Sequence, residues 1–150
     1  FLFSGWYLKL KNRFNLFNSK KDFLSGAFFF AEKEKFIDIG LFDENIFMYN
    51  EESDISSRIN LKKFEIKFLP EKSYIHLLDE RPFNPNAFRS EMIALKYYIK
   101  KYNINEKKII LRNLLELRIK KKLAKLFNKN EAVEKFSSMA KIISDEFSNI

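Results

Sequence analysis

Phe47-Met48-Tyr49-Asn50-Glu51-Glu52-Ser53-Asp54-Ile55-Ser56-Ser57-Arg58 changes character halfway along. Its first residues continue the apolar Ile46 and read as a buried extended segment. Asn50 then reads as an N-cap, with Glu51, Glu52 and Asp54 in a first helical turn, where free N–H groups and the helix dipole favour carboxylates. The predicted helix runs to about Lys62, with Ile55 and Ile59 on its buried side. Asp54 is placed to pair with Arg58, four residues on.

Working upstream, 23–30 (Phe-Leu-Ser-Gly-Ala-Phe-Phe-Phe) is a short apolar run suited to a strand buried on both faces. Residues 32–39 read as a short helix with Phe36 and Ile39 on one side, stopped by Gly40 in the position after the C-cap. Residues 41–45 read as a loop, and 1–22 have no clear period. Downstream, 64–69 alternate apolar and polar as a half-buried strand ended by Pro70. Tyr74-Ile75-His76-Leu77 reads as a further short strand, and 78–87, with Pro82 and Pro85, as a loop. Three helices follow: 88–102, with Phe88, Met92, Leu95 and Ile99 on one stripe; 106–127, strongly basic; and 130–147, the weakest of the three. The expected fold is therefore α/β, a strand–helix–strand–helix–strand–strand core followed by a helical tail.

Composition agrees with a packed chain. Of 150 residues 46% are hydrophobic, with 18 Phe and 6 Tyr, which excludes disorder over most of the length. Three Gly and three Pro argue against an all-β fold with many tight turns. The absence of Cys excludes disulfides and thiolate metal sites. No apolar run approaches the ~20 residues that span a bilayer. The chain starts without Met inside what reads as structure, so it reads as a piece of a longer protein. Most of the net charge of +8 sits in 106–127, where eight cations face only Glu106 and Glu116.

Two groups could carry chemistry. The acids Glu51, Glu52 and Asp54 at a helix N-terminus have a purely structural reading, since the dipole alone recruits carboxylates there. Their functional reading is a general base held ionised at a sheet edge, where open α/β sheets place ligands. His76 is the sole histidine. By itself it reads as a packed core residue, or as one ligand completing a metal site whose other ligands come from elsewhere.

Several blocks then fall in one order: Ser25-Gly26-Ala27-Phe28-Phe29-Phe30, the run 36–44, the run 47–58, Phe68-Leu69-Pro70 and Ile75-His76. Over about residues 23–100 the chain resembles the second half of family 2 glycosyltransferases, particularly the rhamnosyltransferase-like enzymes of bacterial surface polysaccharide synthesis. The resemblance implies the acceptor-side half of a GT-A fold over 1–104, with a small mixed sheet, and a basic helical tail over 105–150. It implies an inverting transfer from a nucleotide-sugar to a glycan or lipid-linked acceptor. By position, Glu52 falls on the family's catalytic base, which is usually Asp, with Glu51 or Asp54 as substitutes for it. Arg58 supports the motif with Asp54, and Phe47 and Tyr49 line the acceptor side. His76 falls on the histidine that helps hold a divalent metal, Mg or Mn, on the donor diphosphate. The family's Asp-x-Asp metal motif occurs nowhere in these residues, so the chain is expected to be inactive alone.

The basic helix has three readings: packing on the core with lysines exposed, an interfacial helix drawn to anionic lipid, and nucleic-acid binding, which no motif supports. The expected location is cytoplasmic, with peripheral contact at the inner membrane face through 106–127. The rival to the enzyme reading is a non-catalytic module, derived from a truncated transferase, that binds glycan or membrane.

Overall fold

The computed structural model describes residues 14, 16, 18, 29–46, 48–67, 69, 71, 72, 75 and 82–148. These residues form five helices: α1 (Lys33–Asp38), α2 (Glu51–Leu61), α3 (Pro85–Lys101), α4 (Glu106–Leu126) and α5 (Asn130–Glu146). The chain divides between residues 80 and 81 into two compact units, α1 and α2 in one and α3 to α5 in the other. The helix at 85–101 therefore packs with the two that follow it.

No strand occurs among the described residues, which overturns the expected α/β sheet and the GT-A half-domain built on it. Phe29, Phe30, Ile46, Leu69 and Ile75 are irregular, and Met48 and Tyr49 lie in a bend. The other residues of the expected strands at 23–30, 46–49, 64–69 and 74–77 lie outside the described set, except 64–67. That stretch does alternate in burial, with Phe64 and Ile66 half-buried and Glu65 and Lys67 exposed, yet it forms no ladder. Side-chain alternation settles which residues face inward. A strand also needs a neighbour's N–H and C=O groups, and no described segment supplies them.

The helices follow the sequence closely, since most end on a local stop. Four of the five are followed by left-handed backbone: Gly40 (φ 88) with Leu41 (φ 58) after α1, then Lys63 (φ 58), Asn103 (φ 49) and Asn128 (φ 53) after the next three. Each end closes with the paired bonds of a Schellman motif. At α1 these are Gly40 N–H to Ile37 C=O (2.9 Å) and Leu41 N–H to Phe36 C=O (3.0 Å). At α3, Asn103 N–H reaches Lys100 C=O (3.3 Å) and Ile104 N–H reaches Ile99 C=O (3.0 Å). This reversal lays Ile104 back on the core. Gly and Asn tolerate that backbone; Lys63 does not, at a cost of about 1 kcal/mol. Lys63→Gly is therefore expected to stabilise the first unit by about 0.5–1 kcal/mol. A urea midpoint that stays put or falls contradicts this.

The unit holding α3 to α5 is a small helical bundle. Met92, Ile99, Ile110, Leu117, Ile142, Ile143 and Phe147 form its buried cluster, with Phe88 and Leu95 packed against it. The predicted α3 stripe thus faces the core. Helix α3 starts earlier than its predicted 88, with Pro85 at its first position. The Asn84 side chain accepts from Asn86 N–H (2.9 Å) and Ala87 N–H (3.2 Å). Helix α5, weakest in the sequence reading, packs most extensively against both others. Its apolar positions 136, 139, 140, 143 and 147 recur at helical spacing and fill the centre. Two cations tie α3 to its end. Arg89 pairs with Glu146 and lies 3.8 Å from Asp145, while Lys96 donates to the Glu146 carbonyl (2.6 Å) and sits 5.4 Å over the Phe147 ring.

Two carboxyls in this bundle respond oppositely to pH. Burial pushes Glu91 above the ordinary 4.5, and a hydrogen bond from Lys120 holds Glu116 below it. For Glu91 the folded state holds its proton more tightly, so stability falls as pH rises from about 4.5 through the raised folded value. For Glu116 the contribution is present at neutral pH and fades on acidification below 4.5. Glu91→Gln is expected to stabilise the chain at pH 7 and to lose that advantage at pH 4. Urea titrations of both proteins across this range read the difference directly. An advantage that grows on acidification contradicts the assignment.

Candidate functional site: the acid-bearing turn of α2

Residues 41–46 bring the chain to α2. Asp43 Oδ1 accepts from the Asn45 N–H and from Asn45 Nδ2, both at 2.9 Å, and Ile46 N–H closes on Asp43 C=O at 2.9 Å. This turn buries Ile46; Ile39 and Ile55 are the other buried apolar side chains of this unit among the described residues. Beside it the Phe29, Phe36 and Phe42 rings meet at centroid distances of 5.4–6.4 Å.

The backbone then makes an uncommon move. Tyr49 (φ 68) and Asn50 (φ 65) are consecutive left-handed residues. Asn50 does occupy the N-cap position, but its side chain makes no cap hydrogen bond. The predicted capping therefore has the right place and the wrong mechanism: in the left-handed region the Asn50 amide does not reach forward to the turn. Asparagine visits this region readily, whereas for an aromatic residue it costs about 1–2 kcal/mol. Such strain persists only where surrounding contacts hold it, and it is common at functional sites.

The helix that follows is tied down at Asp54. That side chain is fully buried, 0% exposed. Its Oδ2 accepts from Arg58 Nε (2.8 Å), and Arg58 Nη2 lies 2.7 Å from the same oxygen, an ionic contact without hydrogen-bond alignment. Arg58 Nη1 donates to the carbonyl of Ile39, the C-cap of α1. The ion pair thus fastens the start of α2 to the end of α1. Lys62 adds a half-exposed pair with Asp38 at 3.0 Å. Gly40 sits against this clamp: a Cβ there would lie an ordinary 3.6 Å from Arg58 Nη1, so its φ of 88, not lack of room, calls for glycine.

The clamp sorts the sequence-predicted residues. Asp54 and Arg58 are joined to each other, as their four-residue spacing predicts. Glu51 and Glu52 are half-buried in the first turn of α2. Glu51 Oε2 is buried and has no hydrogen-bond partner among the described residues. Tyr49 stands next to them, 38% exposed. Phe47 and His76 lie outside the described residues, so the structure places neither. Among the described residues no three His, Cys, Asp or Glu side chains come together as a metal group.

The chain matches no protein-family model, no curated protein and no solved structure. Glu51 and Glu52 are consecutive in the first turn of a helix that a buried ion pair ties to the end of α1. A carboxylate beside a second, unsatisfied acceptor can bind a hydroxyl and take its proton. Sequence reasoning missed two parts of this arrangement. The Ile39 carbonyl was legible in principle, because Gly40 marks a helix end whose carbonyls need donors. The left-handed Tyr49 has no local signal.

Among the described residues no helix is long and apolar enough to cross a membrane.

Proposed function

We propose that the α2 turn is the acceptor-side site of a sugar-transferring enzyme, with Glu52 as general base. The carrying observation is the buried, unpartnered Glu51 Oε2 beside Glu52 on a clamped helix start. A buried acceptor without a donor costs about 1–3 kcal/mol, which a ligand hydroxyl would recover. In this reading Glu51 accepts a hydrogen bond from the acceptor glycan, and Tyr49 offers its ring as a platform for the sugar. Glu52 removes the proton of the attacking hydroxyl as its oxygen bonds to the anomeric carbon, and the nucleotide diphosphate leaves with the electron pair. Asp54 and Arg58 act at one remove, by holding the turn.

The sequence resemblance to family 2 glycosyltransferases supports the reaction class, and the local geometry supports the assignment of roles. The test is transfer from a nucleotide-sugar in the intact polypeptide that carries this chain, comparing Glu52→Gln with the parent. Unchanged turnover in that variant removes Glu52 as the base.

A further inference from the structure

Helix α4 has two faces with opposite fates. Ile110, Leu117 and Ala124, seven apart, are 4–6% exposed and meet the rest of the bundle. Leu111, Leu115, Ile119 and Leu123, four apart, continue into Leu126 and Phe127 as a second apolar row. These six side chains are 39–73% exposed. At ~1.5 Å per residue the row extends roughly 24 Å along the helix. A contiguous apolar ridge of that length is far beyond the scattered exposed leucines of an ordinary surface.

Charge says what kind of surface covers it. Lys107, Lys108, Arg118, Lys122 and Lys125 are exposed beside or within the ridge, and none has an ion-pair partner among the described residues. The helix has two acids. Glu116 is bound to Lys120 at 2.5 Å, and Glu106 is half-buried in the first turn. A second copy of this chain docking ridge to ridge would bring cations against cations, which costs several kcal/mol. The complementary surface is apolar within and anionic at its rim, as the acyl and headgroup layers of an acidic membrane are. Long lysine and arginine stems suit that boundary, because they lie along the apolar layer and lift their charges to the phosphates.

We propose that α4 lies flat on an anionic lipid surface, with Leu111, Leu115, Ile119, Leu123, Leu126 and Phe127 below the headgroups and the neighbouring cations among the phosphates. This is independent of the sugar-transfer reading: it concerns another unit of the chain and other residues. Co-sedimentation of the full chain with phosphatidylcholine vesicles, with and without phosphatidylserine, tests it. The chain is expected to bind the phosphatidylserine vesicles at least tenfold more strongly, and less so as salt is raised. Neutralising Arg118, Lys122 and Lys125 together to Gln is expected to lower the partition coefficient roughly a hundredfold, at about fivefold per charge. Leu115→Gln with Ile119→Gln should also release the chain while leaving helix content unchanged, since both side chains are exposed. Equal binding to both vesicle types, or variants that bind as the parent does, overturns the proposal. So does concentration-dependent self-association that the Leu115→Gln, Ile119→Gln protein loses, or capture by an acidic peptide in place of the vesicles.

Discussion

Asp54→Ala is expected to cost the first unit about 3–5 kcal/mol, the usual price of breaking a buried ion pair from one side. The Arg58 guanidinium would keep its bond to the Ile39 carbonyl but lose the carboxylate that neutralises it. Arg58→Ala should do comparable damage by a different route, taking the guanidinium from a 0%-exposed carboxylate and its donor from the α1 end. Arg58→Lys would recover little, because a single ammonium cannot reach Asp54 and Ile39 together as the planar fork does. The double variant Asp54→Ala, Arg58→Met should be markedly milder than either single, since no charge stays buried. Amide hydrogen exchange over 55–61 reads this locally, so the second unit does not mask it. Loss below about 1 kcal/mol in Asp54→Ala would mean the pair behaves as a surface contact.

The second large effect is on chemistry. Glu52→Gln keeps shape and helix propensity and removes only the ability to take a proton, so transfer should fall about 10²–10⁴-fold with binding of the acceptor retained. Glu51→Gln should behave differently. If Glu51 only holds the acceptor, its loss raises KM more than it lowers kcat. Glu52→Asp draws the carboxylate back by about one bond length, and its turnover reports how closely the clamped turn sets the base against the hydroxyl. Tyr49→Gly relieves the left-handed strain, and stabilisation by about 1 kcal/mol with loss of transfer would be the signature of strain kept for function. If Glu51→Gln and Glu52→Gln both leave transfer intact, the acids are there for the helix dipole alone.

Both experiments depend on features of unequal legibility. The Asp54–Arg58 pair follows from a four-residue spacing on a helix, a local rule that holds in any fold. Glu51 and Glu52 are legible as acids at a helix start for the same reason. Their half-burial, and the missing partner of Glu51 Oε2, come from chain segments that spacing does not describe. The attachment of Arg58 to Ile39 spans 19 residues and appears only once α1 and α2 are packed.

The sequence by itself determined the helices, because periodic apolar positions and left-handed stops at Gly40, Asn103 and Asn128 act within a few residues of one another. It also determined the basic character of α4 and the acids of α2. Tertiary structure alone decided that no sheet forms among the described residues, that α5 is the centre of its bundle, and that one row of α4 is covered while the other is bare. Helical hydrogen bonds close inside their own segment. A strand's bonds, and the covering of an apolar face, wait on a partner that no local pattern names.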